Sequence, residues 1–300
     1  MSAQTVLITG GASQTGLALA KLVDSNPKYK AVFTSRSGRG VPEVYESVKL
    51  DWYDPSTYGE SFKNGRIDTV YLLPPPADAT SEKVVNPFID VCIEKGVKRF
   101  ILLADCSWSI SRPLEEAPFQ GLAKINVHLD QRKKEGRIEY LVLRPTWFTE
   151  NFGRFLVYGI RARDELNTPV PTGKIPFVSV DDIAQAGYDA IVSENPLEET
   201  EKVVIGPDLL SYPEAASIIS QVTGRTITHR GISNQEQVEI YSKIGVPSEH
   251  AKALGIIHAK AEDGADERWW NEREKGNVHI GKVSVREWVQ ANKQLFEKDS

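Results

Sequence analysis

The sequence predicts an α/β protein built on a doubly wound parallel sheet, and three observations support that prediction. Short apolar runs rich in β-branched residues alternate with stretches of helical periodicity, which is the pattern of βαβ units. The first run, Val6–Thr9, leads into a glycine-rich turn and then a helix. After Asn151 the alternation gives way to mostly helical sequence, which indicates a smaller C-terminal part.

Each predicted strand is a short apolar run, and each predicted helix begins where the apolar residues take up the helical period. Crossovers between parallel strands are expected to be right-handed. In the first half we expect strands at Val6–Thr9, Ala31–Ser35, Ser47–Leu50, Thr69–Leu73, Arg99–Leu103 and Tyr140–Leu143, and helices beginning near Thr15, Pro55, Ser81 and Phe119. In the second half we expect a strand at Ile175–Val180, a helix at Asp181–Val192, a strand at Lys202–Ile205, helices in Asn234–Asp266 broken at Pro247, and a last amphipathic helix at Val285–Phe296.

The composition is that of an ordinary globular chain. Of 300 residues, 40% are hydrophobic and 26% are charged, which is enough for one large core. With 36 Lys and Arg against 41 Asp and Glu, the net charge of -5 gives no broad attraction for nucleic acid or an anionic membrane. We therefore expect a small-molecule partner, with no nucleic acid and no membrane involved.

Cysteine use and the N-terminus predict a reducing, cytoplasmic setting. Cys92 shares a helical apolar stripe with Val85 and Phe88, which indicates a buried structural thiol. The second cysteine is Cys106, and neither a disulfide scaffold nor a metal site is expected. The chain runs from Met1 into the first strand without a basic n-region, and no apolar run approaches the ~20 residues that span a bilayer.

The strongest local motif is Val6-Leu-Ile-Thr-Gly-Gly-Ala-Ser-Gln-Thr-Gly16. Glycine lets the backbone approach a pyrophosphate, and the N-terminus of the following helix receives the negative charge. Ser13 stands where the G-x-x-G-x-x-G pattern has its middle glycine, and a tight strand-to-helix turn without a ligand would have the same sequence, so both interpretations stay open. The candidate cofactor-binding residues of this turn are Thr9, Gly10, Gly11, Ser13, Gln14, Thr15 and Gly16.

The end of the second strand indicates which dinucleotide is bound. An NAD site usually carries an acidic residue here for the ribose 2′-hydroxyl, and Thr34–Arg39 contains none. Arg36 and Ser35, with Ser37 and Arg39 nearby, offer donors to a 2′-phosphate, so we expect NADPH as the cofactor. A solvated surface arginine is the alternative.

Three further strand ends contribute candidate residues to the same edge of the sheet. Asp51, after the third strand, is placed to accept from the adenine amino group, although an Asp there is about as often a helix cap. Leu73 and Pro74, after the fourth strand, begin an extended proline run expected beside the nicotinamide. Asp105 and Trp108, after the fifth strand, face the ligand crevice and are candidate substrate contacts.

The Tyr-x-x-x-Lys pair with which typical short-chain dehydrogenases protonate a carbonyl oxygen is missing from its expected place. Only Tyr45 and Lys49 have that spacing, and they come too early in the fold. Lys124 lies in the helix after the fifth strand, where a lysine contacts the cofactor, and a solvent-facing lysine is the alternative.

Eight segments spread over the whole chain share the pattern of a known family. They are Thr9–Gly16, Asp51–Trp52, Leu73–Pro76, Gly121–Asp130, Arg144–Phe152, Gly173–Ile183, Gly206–Tyr212 and Ala291–Lys293. These segments resemble the NmrA-like, atypical short-chain dehydrogenases, and within them the festuclavine synthase and agroclavine dehydrogenase reductases of ergot-alkaloid pathways. The segment Asp105–Pro118 departs from the subfamily pattern, so the resemblance predicts the reductase class and leaves the particular alkaloid open.

The resemblance implies an NADPH-dependent reductase that transfers hydride to the C=N or iminium bond of a cyclic imine, a reaction of the CH–NH class. Hydride addition to an iminium gives a neutral amine directly, whereas ketone reduction leaves an alkoxide that must be protonated, so the missing tyrosine fits the first reaction. An iminium needs negative or π-rich side chains beside it. Asp105 and Lys124 are the candidate catalytic residues, and the candidate substrate-binding residues are Asp105, Trp108, Trp147, Phe148, Glu150 and Phe152.

We therefore expect residues 1–152 to form an NAD(P)-binding Rossmann-type domain, and residues 153–300 a smaller, mostly helical substrate-binding part that shares its core. Two other functions stay open. One is an NmrA-type regulator that binds a dinucleotide and a protein partner without turnover. The other is an isoflavone-reductase-like or quinone reductase acting on C=C or C=O, with Lys124 and His128 as candidate proton donors. The oligomeric state is open, with a homodimer as one alternative.

Overall fold

The computed structural model describes residues 3–11 and 13–298. Met1 and Ser2, in the predicted N-terminal lead, and Ala12, in the predicted glycine-rich turn, lie outside the described residues. The first half alternates strands and helices as predicted, with a 3₁₀ helix where the sequence predicts a helix at Pro55. Its elements are β1 (Gln4–Ile8), α1 (Gln14–Asp24), β2 (Tyr29–Ser35), β3 (Glu46–Lys49), a 3₁₀ helix (Pro55–Phe62), β4 (Thr69–Leu72), α2 (Glu82–Glu94), β5 (Arg99–Leu103), a 3₁₀ turn (Leu114–Glu116), α3 (Gln120–Lys134) and β6 (Glu139–Pro145).

The second half is mostly helical, as predicted. Its helices in 234–266 break at Pro247, which immediately precedes one of them. The elements are a 3₁₀ turn (Thr149–Gly153), α4 (Val157–Arg163), β7 (Glu165–Thr168), α5 (Val180–Val192), β8 (Glu201–Ile205), α6 (Tyr212–Thr223), β9 (Thr228–Gly231), α7 (Asn234–Lys243), α8 (Ser248–Glu262), α9 (Glu267–Asn271), β10 (Val278–Ile280), α10 (Val285–Ala291) and a 3₁₀ turn (Lys293–Phe296).

Within the described residues, eight strands form a parallel sheet in the order β10-β8-β6-β5-β4-β1-β2-β3, which confirms the predicted fold class. The chain reverses direction across the sheet at β1, because β2 and β3 lie on one side of it and β4 to β6 on the other. Ile8 at the end of β1 pairs with Phe33 of β2 and with Tyr71 of β4. In a doubly wound sheet the ligand crevice opens at this reversal, outside the carboxyl ends of the strands.

The chain divides into two compact units. One comprises Met1–Arg144 with Ala184–Lys202, and the other comprises Pro145–Ile183 with Val203–Ser300. This division differs from the boundary predicted at residue 152, because most of α5 packs with the first unit. A β-carbon built on Gly187 of α5 would lie 3.3 Å from the side chains of both Leu143 and Tyr71.

The first unit has an apolar core formed by the sheet and its helices. Phe88, Phe100 and Tyr140 are fully buried there, and each such side chain contributes roughly 1.5–3 kcal/mol through the surface it removes from water. Cys92 is a free thiol that is buried in the same core, as its helical stripe predicts. Within the described chain, no helix is long and apolar enough to cross a membrane.

The second unit has its own core, and one element predicted there is wrong. Ile175–Val180 is not a strand: its backbone pairs only through isolated bridges, Ile175 with Leu210 and Val178 with Phe148. The alternation of apolar residues in this segment reflects burial of Ile175 and Phe177 rather than membership of a sheet. A separate two-stranded parallel sheet, β7 with β9, was not predicted.

Arg99 ties the C-terminal end of α5 to the sheet. Its Nη1 donates to the carbonyl oxygens of Ala190, Ile191 and Ser193 at 2.8–2.9 Å, and its Nε donates to Glu139 at 2.6 Å. A guanidinium satisfies several helix-end carbonyls at once, which no uncharged side chain of this size does.

We expect Arg99→Met to lower the free energy of unfolding by about 2–4 kcal/mol, because it leaves the Glu139 carboxylate and the helix-end carbonyls without their donor. Urea denaturation followed by circular dichroism measures the change. Lys98→Met, at the exposed neighbouring position, is the control and should change stability by less than about 0.5 kcal/mol. Equal effects of the two substitutions would contradict the assignment.

Candidate active site

The turn after β1 is shaped for close approach of the backbone. Gly10 has φ 83°, in the left-handed region that favours glycine. A β-carbon there would lie 2.9 Å from Cβ of Leu73, so a side chain has no room. The hydroxyl of Ser13 accepts from the N–H of Gly16 at 3.1 Å and caps α1. Ser13 at the middle glycine position thus serves as the N-cap of the helix expected to face the pyrophosphate.

Thr9, Gln14 and Thr15 have different surroundings within this turn. Thr9 is buried, and its hydroxyl accepts from the N–H of Leu73 at 2.7 Å and donates to the carbonyl oxygen of Leu73 at 3.1 Å. Thr15 is also buried, whereas Gln14 is exposed at the start of α1. The structure therefore gives Thr9 a role in joining the ends of β1 and β4, and Pro74 continues from that junction.

The loop after β2 carries the residues predicted to select the cofactor. Arg36 is exposed, and the hydroxyl of the half-buried Ser35 accepts from the N–H of Gly38 at 3.0 Å. This short turn holds the loop that presents Arg36. At the end of β3, Oδ1 of Asp51 accepts from the N–H of Tyr53 at 3.1 Å. Asp51 therefore stabilises its own turn, whereas the helix cap that the sequence leaves open for it is Asp54, whose side chain caps the 3₁₀ helix.

A small pocket lies at the carboxyl end of β5, within the first unit. Asp105 lines it, and its Oδ1 accepts from both the N–H and the hydroxyl of Ser107. Trp108 also lines the pocket but is only 4% exposed, with Nε1 donating to the carbonyl oxygen of Pro113 at 2.9 Å. The guanidinium of Arg144 lies 5.6 Å from the Trp108 ring, within cation–π range. Trp108 is therefore largely committed to packing.

Two polar residues that the sequence does not single out complete this pocket. Arg144 is buried, and it donates to Oδ1 of Asn126 at 2.7 Å, to the carbonyl oxygen of Asp105 at 2.9 Å and to the carboxylate of Glu201. Asn126 is buried on α3. Both lie in segments that carry the family resemblance, but only their tertiary contacts reveal them as pocket residues.

The two candidate proton donors of α3 are engaged by carboxylates of α2. Nζ of Lys124 lies 3.2 Å from Oε1 of Glu82, and Nε2 of His128 lies 3.0 Å from Oδ1 of Asp90. Burial lowers the pKa of His128, and Asp90 opposes that shift. Neither Lys124 nor His128 lines the pocket at Asp105.

In the second unit, Trp147 stacks on a buried histidine. The centroids of the Trp147 and His258 rings are 4.4 Å apart, and the rings are nearly parallel at 15°. The ring of Tyr241 also stacks on His258, with centroids 6.1 Å apart and an angle of 12°. His258 is 2% exposed, its Nδ1 has no hydrogen-bond partner among the residues that the structure describes, and burial lowers its pKa to about 4. The half-buried indole of Trp147 is thus held against a neutral imidazole, which the sequence does not predict.

The other candidate substrate residues of the second unit divide between a polar and a packing role. Oε1 of Glu150 accepts from the N–H of Val180 at 3.1 Å, and burial raises the pKa of Glu150 to about 7. Phe148, two residues before Glu150, is half-buried. Phe152, predicted to contact substrate, is instead 1% exposed, with Phe177 at 5.0 Å and Tyr212 at 6.0 Å, because its ring completes the apolar core.

No group of three or more His, Cys, Asp or Glu side chains in residues 3–11 and 13–298 is arranged to hold a metal ion. The candidate groups of the first unit are the glycine turn, the Arg36 loop and the pocket at Asp105, and those of the second unit are Glu150 and Trp147.

Comparison with known proteins gives relatives over nearly the whole chain, although no family model matches it. Agroclavine dehydrogenase from Claviceps purpurea is 32% identical over 299 residues, covering 95% of this chain and 98% of that protein. Festuclavine synthase II from Penicillium roqueforti is 31% identical over 272 residues, covering 88% of this chain and 90% of that protein.

Among solved structures, the NADPH-dependent quinone oxidoreductase from Escherichia coli, complexed with NADPH, has a similar fold. The TM-score is 0.72 at 16% identity, covering 96% of this chain and 99% of that chain. The fold, the glycine turn and the two relatives all indicate the same family. The chain therefore belongs to the NmrA-like, atypical short-chain dehydrogenases/reductases, in the group of oxidoreductases that includes agroclavine dehydrogenase and festuclavine synthase.

Proposed function

We propose that this protein is an NADPH-dependent reductase that transfers hydride to the C=N or iminium bond of a cyclic imine. The observation that carries the proposal is that neither candidate proton donor, Lys124 or His128, lines the pocket at Asp105. Reduction of an iminium gives a neutral amine without a proton donor, whereas reduction of a carbonyl needs one. The site as built therefore suits the first reaction better.

The residues at the ends of β1 and β2 fit a dinucleotide with a 2′-phosphate. Gly10 lets the backbone come close to a pyrophosphate, and the capped N-terminus of α1 offers its positive end. Arg36 is exposed on a turn held by Ser35 and supplies the guanidinium that a phosphate dianion prefers. NADPH, when bound, supplies the hydride. The residues of this chain bind it and fix its orientation.

On the substrate side, we assign the carboxylate of Asp105, in the first unit, to the iminium cation. In the second unit, Glu150 and Trp147 are candidate substrate contacts. A carboxylate opposes positive charge directly, and an indole face attracts a cation by up to about 2 kcal/mol when water is excluded. Trp108 contributes less, because Arg144 already lies over its ring. Asp105 and Glu150 then stabilise charge and do not transfer a proton.

The fold likeness to the quinone oxidoreductase from Escherichia coli makes quinone reduction the second candidate function. We expect NADPH oxidation with cyclic imines and iminium salts, and little with ketones, enones or quinones. Lys124→Met and His128→Asn should keep kcat for imine reduction at saturating NADPH within about threefold, because neither donates a proton in this reaction. Steady-state absorbance assays on the same substrate panel measure both.

Quinone or enone turnover by the wild-type protein that falls about a hundredfold or more in either variant, the usual effect of removing a general acid, would favour the quinone or enone reductase. Tight NADPH binding without turnover of any substrate would favour a regulator of the NmrA type.

Cofactor choice should depend on Arg36. Arg36→Ala is expected to raise KM for NADPH by about 10–100-fold, the loss of a charge-assisted contact, and to leave KM for NADH within about threefold. Initial rates with both cofactors at saturating imine give the ratio. Lys28→Ala, at the exposed position before the N-terminal end of β2, is the control for loss of general positive charge, and an equal effect there would refute a specific role of Arg36.

The pH dependence should report Glu150. Because burial raises the pKa of Glu150 to about 7, its carboxyl group is neutral below that pH and ionised above it. For an N-alkyl iminium salt, whose charge does not titrate, kcat/KM should rise with pH through about 7 and then level off. Glu150→Gln should remove this limb and lower the plateau about three- to tenfold, the value of a partly exposed charge pair. An unchanged limb in Glu150→Gln would assign it to another group.

A further inference from the structure

A hydrogen bond joins the loop after β3 to the loop after β4. The hydroxyl of Tyr53 donates to Oδ2 of Asp78 at 2.9 Å, and the N–H of Tyr53 donates to Oδ1 of Asp51 at 3.1 Å. The residue nevertheless keeps 65% of its surface exposed. A large aromatic residue at this exposure gains little from burial, so these contacts hold an aromatic face at the surface rather than pack it.

The sheet order shows what this hydrogen bond spans. β3 and β4 are not neighbours, since β2 and β1 lie between them. Neighbouring strands are ~4.8 Å apart, so β3 and β4 are separated by ~14 Å. The loops that carry Tyr53 and Asp78 therefore meet across the width of β1 and β2. The glycine turn and the Arg36 loop begin at the carboxyl ends of those same two strands.

The loop after β4 is shaped to keep Asp78 in place. It begins with the prolines at 74–76, whose rings fix φ. Ala77 follows with φ 59°, a conformation that residues with a side chain rarely adopt. Oδ1 of Asp78 accepts from the N–H of Thr80 at 2.8 Å, which leaves Oδ2 for Tyr53. Both oxygens of Asp78 are thus used in fixing the loop and the tyrosine.

Charge links Tyr53 to the cofactor side of this edge. Partial burial and then the Asp78 hydrogen bond raise the pKa of the Tyr53 hydroxyl, while the positive charge of Arg36 opposes the rise. Arg36, the residue assigned to the 2′-phosphate, is therefore near enough to act on Tyr53 electrostatically.

We propose that Tyr53 and Asp78 form a strap over the adenosine half of the bound dinucleotide and set the rate at which NADPH leaves. The strap rests on the NADPH site proposed above. With the pyrophosphate on the β1–α1 turn, the adenosine extends along the carboxyl ends of β2 and β3. The ring of Tyr53 can stack on the face of the adenine there. Asp78 acts as the positioning residue that fixes this ring through its hydroxyl.

The test separates the two halves of the cofactor. Dissociation constants are measured by titration for NADPH, for 2′,5′-ADP as the adenosine half and for reduced nicotinamide mononucleotide as the other half, and NADPH release is followed by stopped-flow displacement. Tyr53→Ala removes ring and hydroxyl, Tyr53→Phe removes only the hydroxyl, and Asp78→Asn replaces the accepting oxygen. Tyr158→Ala is the control, since Tyr158 is 72% exposed on α4.

We expect Tyr53→Ala to weaken NADPH and 2′,5′-ADP by about tenfold each, the usual loss of an aromatic partner for a base, and to leave nicotinamide mononucleotide unchanged. Tyr53→Phe and Asp78→Asn should speed NADPH release about two- to tenfold, as expected for one hydrogen bond. Binding within twofold of wild type in Tyr53→Ala, or an equal loss for the nicotinamide half, would overturn the strap. A wild-type protein that binds neither NADPH nor 2′,5′-ADP would overturn the proposed function, and the strap with it.

Discussion

The junction between the carboxyl ends of β1 and β4 is the constraint on which the site depends. The Thr9 hydroxyl makes two hydrogen bonds to Leu73, and the N–H of Thr9 donates to the carbonyl oxygen of Tyr71 at 3.0 Å. At this junction the chain leaves the sheet in two directions, to the glycine turn from β1 and to the proline run from β4. Because Thr9 holds Leu73 so close, the next residue after Thr9 has room only for glycine, and Gly10 supplies it. One buried hydroxyl therefore determines both the approach to a pyrophosphate and the start of the loop that reaches Asp78.

Several carboxylates of the first unit hold basic side chains in place. Glu82 and Asp90 hold Lys124 and His128, Glu139 holds Arg99, and Glu201 holds Arg144. An ion pair of this kind fixes geometry more than it adds stability, because desolvation offsets most of the attraction. Neither Lys124 nor His128 lines the pocket at Asp105, so neither is placed to deliver a proton to a substrate bound there. A reaction that relies on hydride transfer and charge stabilisation needs no proton donor, and this supports imine reduction over carbonyl reduction.

Most of the fold follows from local sequence, and much of the site does not. β5 was predicted at Arg99–Leu103 because its apolar run ends sharply at both sides, and the glycine turn because its residues are contiguous. Ile175–Val180 was mistaken for a strand because alternating burial has the same pattern with or without a strand partner. Arg144 of β6 contacts Asn126 of α3, and His258 of α8 stacks on Trp147. Both contacts form only in the folded chain, so no spacing in the sequence predicts them. Tyr53 was overlooked for the same reason, because its partner Asp78 lies beyond the next strand.

In the second unit, the indole of Trp147 is held in one orientation by the ring of His258. A free indole rotates, and fixing it on binding costs side-chain entropy of about 0.5–1.5 kcal/mol. Because the indole already stacks on His258 in the folded protein, this entropy is lost during folding rather than on binding. The imidazole stays neutral at ordinary pH because burial lowers the pKa of His258 to about 4. A protonated ring at this position would compete with a cationic substrate for the same π-electrons. A neutral histidine behind the indole therefore adds no positive charge that would oppose the cation contact proposed for Trp147.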